Sequence, residues 1–159
     1  MGNPSSLAKI GGESSALPSN LLTKEAIIKE LDGVTPKSTE IANAIKNGDL
    51  KVTTISDRLF DMWVGEGAQA RAVGDHLYLR SSSKSYYSDV VHEGIHGTDF
   101  LNGYGAGKTK TTWQWEKRAY YYERQFQINS GRPVDYKTLP QMLYHIKHNY
   151  PEVLRNPND

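Results

Sequence analysis

Cysteine is absent from the 159 residues. Disulfides and thiolate metal sites are therefore excluded, and any transition metal must be held by His, Asp or Glu. The same absence is compatible with the cytosol and with an oxidising compartment. No apolar run approaches the roughly 20 residues of a membrane span, so no membrane partner is expected. An excess of one charge is missing too. Lys and Arg number 19 against 18 Asp and Glu, a net charge of +1, so no global basic field invites nucleic acid and no such partner is expected. The segment Met1–Asn20 is rich in Ser, Gly and Pro but has no apolar core of a cleaved signal peptide. It reads as a flexible tail or linker over residues 1–19, followed by one domain over residues 20–155.

Within that domain the apolar spacing predicts an α+β fold. A helix is expected from a cap at Ser19 or Asn20 to Leu31, carrying Leu22, Ala26, Ile27 and Leu31 on one face. A second is expected after Pro36, with Ser38 as cap candidate and Asn47-Gly48 as its stop, forming a helical hairpin with the first. Lys51 to Ile55 alternates as a short strand, and Ser56 or Asp57 caps a short helix through Trp63. Gln69–Val73 and His76–Arg80, separated by Gly74-Asp75, read as an antiparallel β-hairpin. Helical patterning then runs from Tyr86 to about Leu101, from a cap at Thr111 or Thr112 to Ile128, and from Leu139 to Asn149.

The helix after the hairpin carries His92-Glu93-Gly94-Ile95-His96, an H-E-x-x-H sequence. Two histidines four positions apart project from one helix face and can grip one metal ion, while the intervening glutamate reaches the attacking water as general base. A catalytic zinc takes three protein ligands and leaves the fourth position open. Glu116, twenty positions past His96, is expected as the third ligand. It lies early on the next helix, and the Gly-rich stretch Asn102–Gly107 lets that helix turn back antiparallel. Glu123, two turns further on, is the lesser candidate. Asp99 shares the face of the histidines and is expected to orient an imidazole. Gly94 and Gly97 cost helix stability, which implies that another backbone packs close there. For oxyanion stabilisation the candidates are Tyr120, Tyr121, Tyr144, His145 and His148. Tyr120 and His145 are carried forward beside Glu93 as catalytic residues, and His76 is expected to be an ordinary strand residue.

His92-Glu93-x-x-His96 followed by Glu116 resembles the gluzincin pattern of thermolysin-like zinc metallopeptidases. Residues from about Ala68 to Gln127 are similar to the compact metallopeptidase domains of bacterial polymorphic toxins and type VI secretion effectors, in which a hairpin precedes the motif helix and a glutamate helix follows, here with Glu116-x-x-Ala119 and Gln125. One position departs from the thermolysin-like pattern: Tyr120 stands where an aspartate follows the glutamate ligand. The resemblance implies one zinc ion, a peptide or protein substrate, a secreted antibacterial or host-directed effector domain delivered into a target cell without a cleaved signal peptide, and a cognate immunity protein as partner. The residues before Asn20 would join it to a delivery module. A cytoplasmic enzyme is the alternative location.

Asn102–Thr109 nearly spells a phosphate-binding loop, but Asn102 replaces its first glycine and a helix, not a strand, precedes it. The aromatic run Trp113, Trp115, Tyr120, Tyr121 and Tyr122 suits core and cleft wall better than base stacking. Lys108, Lys110, Lys117 and Arg118 read as a solvated rim. Three functional readings follow: a zinc endopeptidase with peptide laid beside His76–Arg80 as an added strand, a zinc amidase, deacetylase or cell-wall hydrolase, and a non-catalytic module with a closed structural site.

Overall fold

The computed structural model describes residues 17–156, and most of the expected tail lies outside them. The chain begins with a 3₁₀ turn at Ser19–Leu21. Helix α1 spans Lys24–Leu31 and α2 spans Pro36–Asn47. Strand β1 covers Lys51–Ile55, α3 Asp57–Trp63, β2 Ala70–Val73 and β3 His76–Arg80. Helices α4 (Tyr86–Leu101), α5 (Thr112–Ser130) and α6 (Leu139–Asn149) complete the domain. The fold is α+β, mostly helical, as the periodicity predicts.

Caps explain the boundaries. Thr23 accepts from the Ala26 amide, so α1 starts after a separate turn rather than at Ser19 or Asn20. Thr35, with Pro36 at the first helical position, caps α2, and the expected cap Ser38 is instead its reciprocal partner in a capping box. Ser56 caps α3 and Thr111 caps α5, the latter with Gln114 closing the box. Gly48 and Gly131 end α2 and α5 at φ of 83° and 74°, a left-handed conformation that glycine adopts without Cβ strain.

The sheet departs from a simple hairpin. Its order is β1-β3-β2, with β2 antiparallel to β3 and β1 parallel to it, in register from Lys51 opposite His76 to Ile55 opposite Arg80. The returning chain after α3 makes β2 the edge and β3 the centre. Leu77 and Leu79 point from β3 into the core. His76, on the other face, bonds Thr53 Oγ1 at 2.6 Å and stacks on Tyr78, an ordinary strand residue as expected.

Helix α4 is the spine. Its residues Tyr86, Val90, Val91 and Ile95 join Ile27, Leu31, Ile41, Ile45, Leu50, Leu77 and Leu79 in one buried cluster, so the α1–α2 hairpin, the sheet and α5 all pack on it. The two motif-helix glycines sit where neighbouring side chains approach closely. A Cβ on Gly94 would lie 2.7 Å from Ile41 Cγ2, and one on Gly97 would lie 2.6 Å from Leu50 Cδ2.

Candidate metal centre

Pairing across the α4–α5 interface runs antiparallel: Ser88 meets Gln127, His92 meets Glu123, and His96 meets Glu116. This arrangement presents both histidines of α4 to Glu116 and Glu123 of α5. The Nε2 atoms of His92 and His96 lie 2.9 Å and 3.0 Å from the two oxygens of the Glu116 carboxylate. All three residues are buried, and one ligand atom from each falls within 4.8 Å of the others. The three side chains thus form a buried His-His-Glu group that could hold a metal ion, the only such group among the described residues.

The donor set fits a divalent cation on its own chemistry. Glu123 Oε1 lies 3.0 Å from His92 Nδ1. With Nδ1 donating to that oxygen, Nε2 would be the nitrogen offered to a cation, the tautomer a metal requires. Glu123 is thus placed to orient His92, and it is not in the His-His-Glu group. Asp99, expected in that role, does not have it: both its oxygens accept from Arg118, at 2.7 Å and 2.9 Å. An aspartate three residues after His96 is carried past the imidazole and meets the guanidinium that α5 brings in. The buried Nδ1 of His96 has no protein partner among the described residues.

Electrostatics describe the same centre when protons occupy it. Burial opposes charge on His92, but hydrogen bonds that it donates to Glu116 and Glu123 outweigh this and hold the imidazole well above its ordinary value. Burial would raise the Glu116 carboxyl, yet the charge of His96 and the hydrogen bonds of both histidines draw it well below the usual range. Such a cluster has its charges matched by protons or by a cation, and the two compete for the same lone pairs.

Beside this group opens a cleft of about 270 Å³, walled by Gly67–Ala72, His92, Glu93, His96, Glu116, Tyr150 and Arg155. Glu93 is half-buried and makes no hydrogen bond or ion pair among the described residues, so its carboxylate is available to the cleft. Tyr120 and His145 are not in that wall. Tyr120 is 4% exposed, packs edge-on against the His92 ring, and its hydroxyl meets Tyr150 at 3.0 Å and His145 at 3.4 Å. The tyrosine that reaches the cleft is Tyr150, the residue capping α6. Burial and the charge of Glu116 push its phenol up to about 12, so it stays a hydrogen-bond donor. Tyr144 and His148 pair with each other on the exposed side of α6, and Tyr121 faces outward on α5.

Tyr150 and Arg155 carry no motif and escape sequence reasoning. Only a faint cue exists, a tyrosine preceding Pro151 where helical patterning stops. The strand adjoining the cleft is also not the expected one. His76–Arg80 is hydrogen-bonded on both sides, whereas β2 is the outer strand of the sheet among the described residues and contributes Ala70–Ala72 to the wall. Among the described residues no helix is long and apolar enough to cross a membrane. Comparison with known proteins finds no matching family model, no matching curated protein and no matching solved structure.

Proposed function

We propose that this chain is a zinc-dependent peptidase, with His92, His96 and Glu116 as ligands and Glu93 as general base. The observation that carries the reading is the buried His-His-Glu group opening onto a cleft that also contains the unpaired carboxylate of Glu93. No fourth His, Asp or Glu joins the group among the described residues, which favours an open, catalytic site over a closed structural one. Nitrogen and carboxylate donors without sulfur suit zinc.

When bound, the ion would polarise the scissile carbonyl and acidify the attacking water. Glu93 takes the proton from that water and delivers it to the leaving nitrogen. Tyr150, protonated at neutral pH, donates a hydrogen bond to the oxygen that becomes negatively charged. Glu123 keeps His92 in the ligating tautomer. An extended peptide would lie beside β2, the outer strand that contributes Ala70–Ala72 to the cleft wall, and so run past Glu93 and Glu116. The resemblance to effector peptidases adds a delivered toxin, opposed by an immunity protein, to this reading.

Replacing Glu93 by Gln tests it. Metal content measured by elemental analysis stays at the native level while proteolysis falls by about 10²–10⁴-fold. Full proteolysis in Glu93→Gln ends the proposal. Incubation with a proteome and with peptidoglycan, read as new N-termini or released muropeptides, separates a peptidase from an amidase acting on cell wall.

A further inference from the structure

The half-buried arginines of this chain have oxygen partners, with one exception. Arg80 pairs with Asp57 and Asp61, Arg118 with Asp99 and Arg132 with Glu30, while Arg124 donates to the carbonyls of Tyr136 and Lys137 and Arg71 to that of Val64. Arg155 has no side-chain acceptor among the described residues, and its buried Nε lacks any partner. It nevertheless belongs to the wall of the cleft that contains His92, Glu93, His96 and Glu116.

Its position is built rather than incidental. The segment after Tyr150 lies across the start of α5: the Thr112 amide donates to the Val153 carbonyl at 2.9 Å, and Leu154 bridges Thr111. The Arg155 amide donates to the Lys110 carbonyl at 3.2 Å. The guanidinium carbon lies 5.2 Å from the ring centroid of Trp115, the residue preceding the ligand Glu116. Backbone pairing and cation–π stacking thus set the arginine relative to the same helical turn that bears Glu116. Stacking uses the face of the guanidinium and leaves its N–H edge for a planar acceptor. A guanidinium without an acceptor among the described residues, its Nε buried, favours a ligand that supplies oxygens.

We infer that Arg155 anchors a carboxylate of the substrate, so that the cleft prefers peptides with an acidic group close to the scissile bond. Glu93 and Glu116 are the cleft's carboxylates, and Arg71 its other cation. The chemistry is shared by a free C-terminus and by an Asp or Glu side chain. The inference rests on the peptidase reading, but binding tests it without turnover.

Calorimetric titration of the full chain carrying Glu93→Gln uses two pairs of acetylated pentapeptides. One pair differs only in a C-terminal carboxylate or amide, the other in an internal Asp or Asn. The acidic member of at least one pair binds about tenfold or more tighter, as a charge-assisted bidentate contact requires, and the pair showing the preference identifies the carboxylate's source. Arg155→Gln abolishes the preference without altering affinity for the neutral member. Arg155→Lys keeps stem and charge but not the fork, and reduces the preference several-fold. Equal binding within both pairs, or an unchanged preference in either variant, overturns the inference. A chain that binds with this preference yet cleaves nothing loses the peptidase reading alone. One that cleaves acidic and neutral peptides equally loses the carboxylate anchor alone.

Discussion

Glu123 shows how one side chain outside the motif can act on a candidate ligand. Its oxygen lies against His92 Nδ1, where accepting a hydrogen bond would leave Nε2 for a cation, and loss of such an orienting partner typically costs 10–100-fold in metal affinity. Glu123→Gln is therefore expected to weaken metal binding by about that factor, while Glu116→Ala abolishes stoichiometric metal, both read by competition with a chromophoric chelator. Equal affinity in Glu123→Gln would remove the orienting role. Asp89 supplies a separate test at the same scale. It is buried, and desolvation raises its carboxyl to about 7 despite hydrogen bonds from Ser83 and Ser85. The folded state then keeps a proton that the unfolded chain releases near 3.8. Stability from this group is fully present below that lower value and is lost as pH rises to about 7, at up to about 1.4 kcal/mol per pH unit. Asp89→Asn, measured metal-free by urea unfolding, should match the native chain near pH 4 and gain on it steadily toward pH 7. A pH-independent difference contradicts the assignment.

At the scale of the element, α4 trades helix propensity for proximity. Alanine is the better helix former by about 1 kcal/mol, yet a Cβ at Gly94 would meet Ile41 Cγ2, held on a stiff β-branched stem. Overpacking of this kind costs about 1–3 kcal/mol. Gly94→Ala should therefore destabilise the domain. Gly97→Ala, which meets the flexible end of Leu50, should cost less. Combining Gly94→Ala with Ile41→Ala should cost less than the two changes separately, because the second removes the atoms that the first collides with. Denaturation midpoints measure all three, and strict additivity would show that the close approach of α2 is not what requires glycine. The loop before α5 obeys the same logic at Gly105, where φ is 73° and a Cβ would overlap the Trp115 indole. That loop turns α5 back so that Glu116 meets the histidines.

For the molecule as a whole, the candidate metal centre joins two helices that carry much of the core. An ion bound only by the folded state stabilises by about 2.7 kcal/mol at a hundredfold excess over its dissociation constant. For a chain of this length that corresponds to a rise in Tm of about 5–10 °C. Calorimetry with zinc and with a chelator checks it, and coincident transitions contradict a native-state site. Titration with zinc at neutral pH should also release protons, because His92 is held protonated in the ion-free cluster.

The elements were legible in the sequence because their information is local. Caps at Ser56 and Thr111, the glycine stops and the apolar periods all act within a few residues. His92, Glu93 and His96 were legible for the same reason, since one helical turn sets their spacing. Glu116 followed from the motif and the length of the connecting loop. The parallel pairing of β1 with β3, the outer position of β2, the partners of Asp99 and Glu123, and the arrival of Tyr150 and Arg155 in the cleft were not legible. Each depends on where a distant segment returns in space, and local patterning carries no information about that. Residue spacing alone names the candidate ligands and the helix that presents them. Which carboxylate touches which imidazole, and what walls the cleft, is set by folding, because those contacts join segments tens of residues apart through packing on α4.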